Sequence, residues 1–366
     1  MQPPSTPGPH FASDVDHDVR TTDALLRHAG LVRNLRGSAA GVTRRVRLER
    51  AAQKMLSKAE LYEPAPVPIV VPNGVHWIPV PGWHPSGRGR SSWLWNGFST
   101  RQGGVSRAYC ADDAQGELNL GFTAADDREA VSKNRRLMAE AVTGDAATPL
   151  ITIRQIHSNV LVRATAGDAG RERPRKADGI MTDEPGLLLA VQTADCIPVL
   201  VADRKRRAVA AFHAGWRGTV KRIVEIGIGR MRLEFGSKPE DLIAAIGPGI
   251  GACCYAVGEE LLSSFQSQFD YAADLFHEVY DSDPIRTKYP MLFLTQRAPG
   301  HSPIGPSLHL DLVEANRRQL LAAGLKPNAI QSIGGCTSCQ SDLFFSHRTS
   351  QGHAGRMMSV IGIKPR

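Results

Sequence analysis

Three short segments carry residue types that can hold a transition metal. They are Arg154-Gln155-Ile156-His157-Ser158, Thr193-Ala194-Asp195-Cys196-Ile197-Pro198 and Phe212-His213-Ala214-Gly215-Trp216-Arg217-Gly218. Neutral imidazole and thiolate both suit Zn2+ or copper, and His157, Cys196 and His213 together would leave one coordination position open. An open position marks a catalytic rather than a structural site, where the ion activates water as a nucleophile. Ala214, Gly215 and Gly218 are small enough to let backbone or substrate come close to His213. Taken singly, each residue also has a plainer reading. A histidine beside an apolar run is more often a satisfied core or loop residue, and Cys196 between two apolar runs can be a small half-hydrophobe. Nothing in the spacing alone brings the three together.

The elements around them are short. Leu187 to Val191, Pro198 to Ala202, Ala208 to Phe212 and Leu242 to Ile246 are apolar runs bounded by polar residues, Gly or Pro, as buried strands are. Cys196 lies between the first two, and His213 follows the third. Reactive groups of proteins that combine strands and helices sit at such strand ends and in the loops beyond them. Helical spacing recurs in Val220, Ile223, Val224, Gly227 and Met231 after Gly218-Thr219, a candidate N-cap. It recurs in Val257, Leu261, Leu262, Phe265 and Phe269, and in Ala130, Val131, Met138 and Val142. A further helix through Leu312, Val313, Leu320 and Leu321 is stopped by Gly324 and Pro327. The pattern predicts an α+β fold: mixed β-sheets flanked by helices, in a single catalytic domain over 91–366. Residues 1–90 read as an appendage. They carry only a ragged apolar stripe, and six prolines between Tyr62 and Trp83 favour extended or loop structure.

Charge and cysteine usage narrow the class. The net charge is +8, and the stretch from Arg20 to Lys58 carries all of it, with eight Arg and two Lys against Asp23 and Glu49. The remainder is near neutral, which argues against a nucleic-acid binder; a solvated basic segment is the simpler reading, with RNA or acidic lipid as its rival partners. Asp14, Asp16 and Asp18 fit a transit peptide poorly. No apolar run is long enough to cross a bilayer and no secretory signal opens the chain, so the cytoplasm is the expected location. Six cysteines in 366 residues do not make a disulfide framework. Cys253 and Cys254 are adjacent and rarely bridge; Cys336-x-x-Cys339 is half a zinc site, a redox pair or two buried thiols.

Longer motifs add a resemblance. Gly97-Phe98-Ser99-Thr100-Arg101-Gln102-Gly103-Gly104-Val105-Ser106, Asn119-Leu120-Gly121, Asn134-Arg135, Gln155-Ile156-His157 and Ala177-Asp178-Gly179 come first. Ala194-Asp195-Cys196, His213 to Gly218, Ile246 to Gly251 with Cys254-Tyr255, Cys336-Thr337, Phe345-Ser346 with Arg348, and Gly355-Arg356 come next, in order. From about Trp93 to the C-terminus the chain resembles the YfiH or laccase-domain family, once called multicopper polyphenol oxidases and now regarded as purine nucleoside phosphorylases. The resemblance implies that His157, Cys196 and His213 hold zinc or copper and that Arg101 is the active-site cation, contacting phosphate or ribose. Asn119 and Arg217 are expected to touch substrate, Arg217 having as its rival role the anchoring of a helix start. The family resemblance implies phosphorolysis of adenosine, inosine and 5′-methylthioadenosine, with purine nucleosides and phosphate as partners, and deamination of adenosine. Thr349 stands where a second Arg is usual, which weakens any substrate contact from that segment.

Several alternatives remain. Cys196 can be a nucleophile with its pKa lowered by His213 instead of a ligand. Gly247, Gly249 and Gly251 can cradle phosphate, but without the Lys and Ser/Thr of a P-loop a tight turn serves equally. A cysteine amidase editing cell-wall precursors, a copper polyphenol oxidase and a non-catalytic binding module are the rival functions. Twelve histidines contain no His-x-His pair, which counts against the oxidase.

Overall fold

The computed structural model describes residues 55–83, 93–110, 116–280 and 307–365. The basic stretch that carries the net charge lies almost wholly outside them. Strands β1 (Met55–Ser57), β2 (Ile69–Val70), β3 (His76–Ile78), β4 (Leu94–Ser99) and β5 (Gln102–Ser106) precede helix α1 (Arg128–Thr143). Then come β6 (Leu150–Thr152), β7 (Leu161–Arg163), β8 (Gly179–Thr182), β9 (Leu188–Thr193), β10 (Ile197–Asp203) and β11 (Ala208–Ala214). Helices α2 (Trp216–Val220) and α3 (Ile223–Phe235), strand β12 (Leu242–Ile246) and helix α4 (Glu259–Gln266) are next. The chain ends with β13 (Phe276–Tyr280), β14 (Ser307–Leu310), α5 (Leu312–Ala322), β15 (Ile330–Ser332) and β16 (Met357–Ile363).

Two six-stranded mixed sheets form the body, in the orders β15-β12-β10-β11-β8-β7 and β2-β3-β4-β16-β9-β6. Side chains alternate across a strand, so one strand feeds two cores. In β10, Ile197, Val199 and Val201 join the core beneath α3 and α5, built with Val224, Ile228, Met231, Leu312 and Leu320. Leu200 and Ala202 turn the other way and meet Leu189, Val191 and Ile361 of the second sheet. Helix α1 covers that sheet's outer face with Met138, Ala139 and Val142 against Leu188, Ala190 and Val360. With both faces covered, β10 and β11 are buried at every position. This explains their unbroken apolar pattern and gives the expected α+β class of mixed sheets flanked by helices.

Two expectations shift. The compact unit begins at Leu56, so the boundary expected near residue 90 falls inside it. Trp77 and Ile78 of β3 pair with Ser99 and Phe98 of β4, and Val75, Trp77 and Val80 are buried. Prolines around these strands limit their length without preventing pairing at a sheet edge. Gly218-Thr219 is not an N-cap: both residues lie within α2, and Arg222 at φ 57° breaks the chain before α3. Thr219 is buried, its hydroxyl accepting from Asn316 Nδ2 at 3.1 Å.

Chain crossings between the sheets position two of the three donor residues. The link from β9 to β10 passes from one sheet to the other in three residues, Ala194-Asp195-Cys196. The link from β6 to β7 makes a second crossing and contains His157.

Candidate metal centre and its surroundings

His157, Cys196 and His213 come together, their ligand atoms all within 4.8 Å of one another. His213, near the end of β11, is buried; Cys196 is half-buried and His157 exposed, so the group opens to solvent on the His157 side. The two imidazole rings stand edge to face, 5.0 Å apart. Gly215 is required here for space. A Cβ on it would lie 2.8 Å from Cys196 Sγ and 3.4 Å from His157 Cδ2.

The turn that carries His157 is held by a residue to which sequence reasoning gave no role. Asp178 is fully buried and accepts the backbone N–H groups of Ile156 (3.2 Å), His157 (3.0 Å) and Ser158 (2.6 Å), and the Ser158 hydroxyl. That grip holds His157 at φ 56°, in the left-handed region that non-glycine residues seldom adopt. Asp178 Oδ1 also accepts from His213 Nδ1 at 2.9 Å. The bond fixes the imidazole and leaves Nε2 to face Cys196, the carboxylate–histidine arrangement that orients metal-ligating histidines. The sequence signal for Asp178 was its place in the matched segment Ala177-Asp178-Gly179.

Electrostatics reinforce the geometry. Burial alone would raise the Cys196 thiol, but the His213 charge and hydrogen bonds from His157 and His213 bring it down to about 6. Burial would lower His213; the Cys196 charge and the Asp178 hydrogen bond outweigh it and push it up to about 9. Asp178 is held at about 2, with burial overcome by donation from His213 and Ser158. Near neutral pH, the metal-free centre is a thiolate–imidazolium pair backed by a carboxylate. Two imidazoles and a thiolate form a fitting donor set for zinc or copper.

A ring of further residues surrounds the centre. Asp195, at φ 91°, accepts from Thr337 Oγ1 (2.7 Å) and from the Arg348 backbone N–H (2.7 Å), and its own carbonyl accepts from Ile250 N (2.7 Å). Arg348 lies over the Tyr255 ring, 5.3 Å from its centroid. Burial and the Cys196 charge raise the Tyr255 hydroxyl to about 12 against the pull of Arg348 and Arg217. Tyr255 thus feels Cys196, Arg348 and Arg217 together, and Arg348 Nη1 also donates to the Ala256 carbonyl at 2.9 Å. Gly249 forms an isolated parallel bridge with Cys336, its carbonyl accepting from Thr337 N at 3.0 Å.

The other expected contact residues are engaged within the protein. Arg101 pairs with Glu117 at 2.5 Å, donates to the carbonyls of Ser341 and Tyr109, and stacks 4.8 Å from the Phe345 centroid. Asn119 is fully buried; its amide spans the Gly121 backbone and Asp126 and accepts from Arg356 N at 2.8 Å. Arg217 is exposed in the first turn of α2, stacked 4.3 Å from the Trp216 centroid.

Comparison with known proteins identifies the family. Residues 96–364 match the family model described as multi-copper polyphenol oxidoreductase laccase. A purine nucleoside phosphorylase of Bacteroides thetaiotaomicron is 34% identical over 271 residues, 72% of this chain and 90% of that protein. The purine nucleoside phosphorylase YlmD of Geobacillus stearothermophilus is 35% identical over 275 residues, 73% of this chain and 89% of that protein. The crystal structure of YlmD from Geobacillus stearothermophilus superposes with a TM-score of 0.62 at 31% identity, over 82% of this chain and 100% of that one. That of Bacillus licheniformis YfiH gives 0.63 at 30%, over 81% and 99%. With its matched motifs, its two-sheet body and its relatives in agreement, the chain belongs to the multi-copper polyphenol oxidoreductase laccase family, whose curated relatives are named purine nucleoside phosphorylases.

Proposed function

We propose that the protein is a metal-dependent purine nucleoside phosphorylase acting on adenosine, inosine and 5′-methylthioadenosine, with adenosine deaminase activity, in the cytoplasm. One observation carries this reading: the three-donor centre of His157, Cys196 and His213 opens to solvent, and Tyr255, which feels the Cys196 charge, also feels Arg217 and Arg348. Phosphorolysis needs a cationic cradle for phosphate and stabilisation of the departing purine. Arg217 and Arg348 supply that cradle, their guanidinium forks matching phosphate oxygens. Arg101 takes phosphate or ribose only by giving up Glu117, and Asn119 acts by shaping the Gly121 turn. Asp178 keeps the His213 proton on Nδ1, so Nε2 faces the reacting side. When bound, zinc or copper supplies a Lewis acid that activates water, the chemistry deamination requires. Among the described residues no helix is long and apolar enough to cross a membrane.

The test is turnover of adenosine, inosine and 5′-methylthioadenosine by metal-loaded protein with and without phosphate. Free purine base is expected only with phosphate, together with ribose 1-phosphate from adenosine and inosine and 5-methylthioribose 1-phosphate from 5′-methylthioadenosine, and inosine is expected from adenosine in its absence. Absence of any nucleoside turnover would overturn the proposal.

The thiolate–imidazolium–carboxylate series of Cys196, His213 and Asp178 favours a second reading, a cysteine amidase acting on cell-wall precursors. Nucleophilic cysteines are activated in this way. Release of an amino acid from a nucleotide-linked muropeptide, independent of phosphate and of added metal, would select it.

A further inference from the structure

Four cysteines outside that centre converge. Cys253 and Cys254 lie beyond β12, and Cys336 and Cys339 beyond β15; their sulfur atoms all lie within 4.8 Å of one another. Cys339 Sγ is 3.3 Å from Cys254 Sγ and 3.6 Å from Cys253 Sγ. A disulfide requires about 2.05 Å, and all four thiols are free. Tetrahedral zinc with Zn–S bonds of about 2.3 Å places its sulfurs roughly 3.8 Å apart, within the range seen here. The Gly251 N–H donates to Cys336 Sγ at 3.2 Å, the type of amide bond that steadies a coordinated thiolate. A Cβ at Gly251 would sit 3.2 Å from both Cys253 Sγ and Cys336 Cβ, so this turn leaves little room for a side chain. Cys253 and Cys336 are buried, Cys254 is half-buried and Cys339 is exposed, which gives an ion a way in.

The geometry points to a second, closed metal site in which Cys253, Cys254, Cys336 and Cys339 bind one zinc ion as four thiolates. Its role is structural, because four protein ligands leave no position for substrate. The ion ties the loop after β12 to the segment after β15. Both segments brace Asp195, through Ile250 N and Thr337 Oγ1, one residue from Cys196. The second site thus fixes the crossing on which the catalytic thiol is mounted.

The test uses full-length protein purified under reducing conditions and loaded with Zn2+ alone. Wild type should hold two zinc equivalents, one for each cluster. Cys339→Ser and Cys254→Ser should each lose one equivalent and keep the other, and Cys196→Ala should lose the complementary one. Cobalt replacement should give the charge-transfer and d–d bands of a tetrahedral tetrathiolate in wild type and Cys196→Ala, but not in Cys339→Ser. Because a serine variant can fail to fold, thiol reactivity of wild type supplies a second readout: zinc should protect these four cysteines from alkylation. A single equivalent in folded, reduced wild type, with the four thiols unprotected, would overturn the proposal. A Cys254–Cys339 disulfide that persists through purification under reducing conditions, or an iron tetrathiolate spectrum, would overturn it equally.

Discussion

The two donor clusters differ in ways that assign them different work. His157, Cys196 and His213 offer three donors of mixed type, one exposed, gathered from two inter-sheet crossings and a strand end. Cys253, Cys254, Cys336 and Cys339 offer four donors of one type from two loops. The first cluster is strained and strongly polarised, with His157 and Asp195 at positive φ and a buried carboxylate behind it. The second closes on itself. An open site needs such external support because its own ligands cannot fix the ion, whereas four thiolates can.

The sharpest way to break this comparison is Cys196→Ala. The open site should lose its ion and phosphorolysis should fall below detection, while the closed site keeps its zinc and the melting transition holds. Metal content and turnover measured on one preparation check both parts. Full metal with full activity would remove Cys196 from either role, ligand or nucleophile.

Gly215→Ala comes next. Gly215 sits at φ −70°, which alanine adopts freely, so the effect is steric rather than conformational. The added methyl, 2.8 Å from Cys196 Sγ, must displace the thiol, and a shift approaching 1 Å lowers kcat by about 10²-fold. Unchanged kcat would show that the thiol does not need its present position.

Asp178→Asn tests the external support. Removing the charge behind His213 should weaken zinc binding at the open site by roughly 10- to 100-fold, read by chelator competition, and leave the four-cysteine site unchanged. Equal weakening at both sites would instead mean that Asp178 acts on the fold as a whole.

How much of this was legible depends on where each partner sits in the chain. The apolar runs at Pro198–Ala202 and Ala208–Phe212 announced β10 and β11, because strands covered on both faces leave an unbroken signal. The same signal hides which sheet each strand joins, so the crossings that bring His157 to Cys196 were invisible in it. Ligand types were legible at His157, Cys196 and His213, and the ordered motifs supplied their meeting. Asp178 stood in a matched motif, but its role was not legible, since its donors come from residues 156–158 and 213 and leave no local pattern. The cysteine cluster was likewise hidden as two local pairs, Cys254 and Cys339 being 85 residues apart. The prolines around residues 69–78 signalled extended structure, but that these short strands pair at the edge β4 offers is a tertiary effect.

Proton release on zinc binding is the smallest effect and separates the two clusters most finely. In the metal-free open site Cys196 sits at about 6 and His213 at about 9, so between these values the thiol is already ionised and the imidazole still protonated. Zinc takes only neutral imidazole, so binding must expel the His213 proton in this window. Below about 6 the Cys196 proton must leave as well, and above about 9 none remains. Asp178, held at about 2, stays ionised throughout and releases nothing. Affinity at the open site should therefore rise about tenfold per pH unit across the window and flatten above it. Calorimetry in buffers of different ionisation heat gives the proton count, and the difference between wild type and Cys196→Ala isolates the open site. A difference of zero at neutral pH would mean that His213 is neutral before the metal arrives and that the thiolate–imidazolium pair is absent.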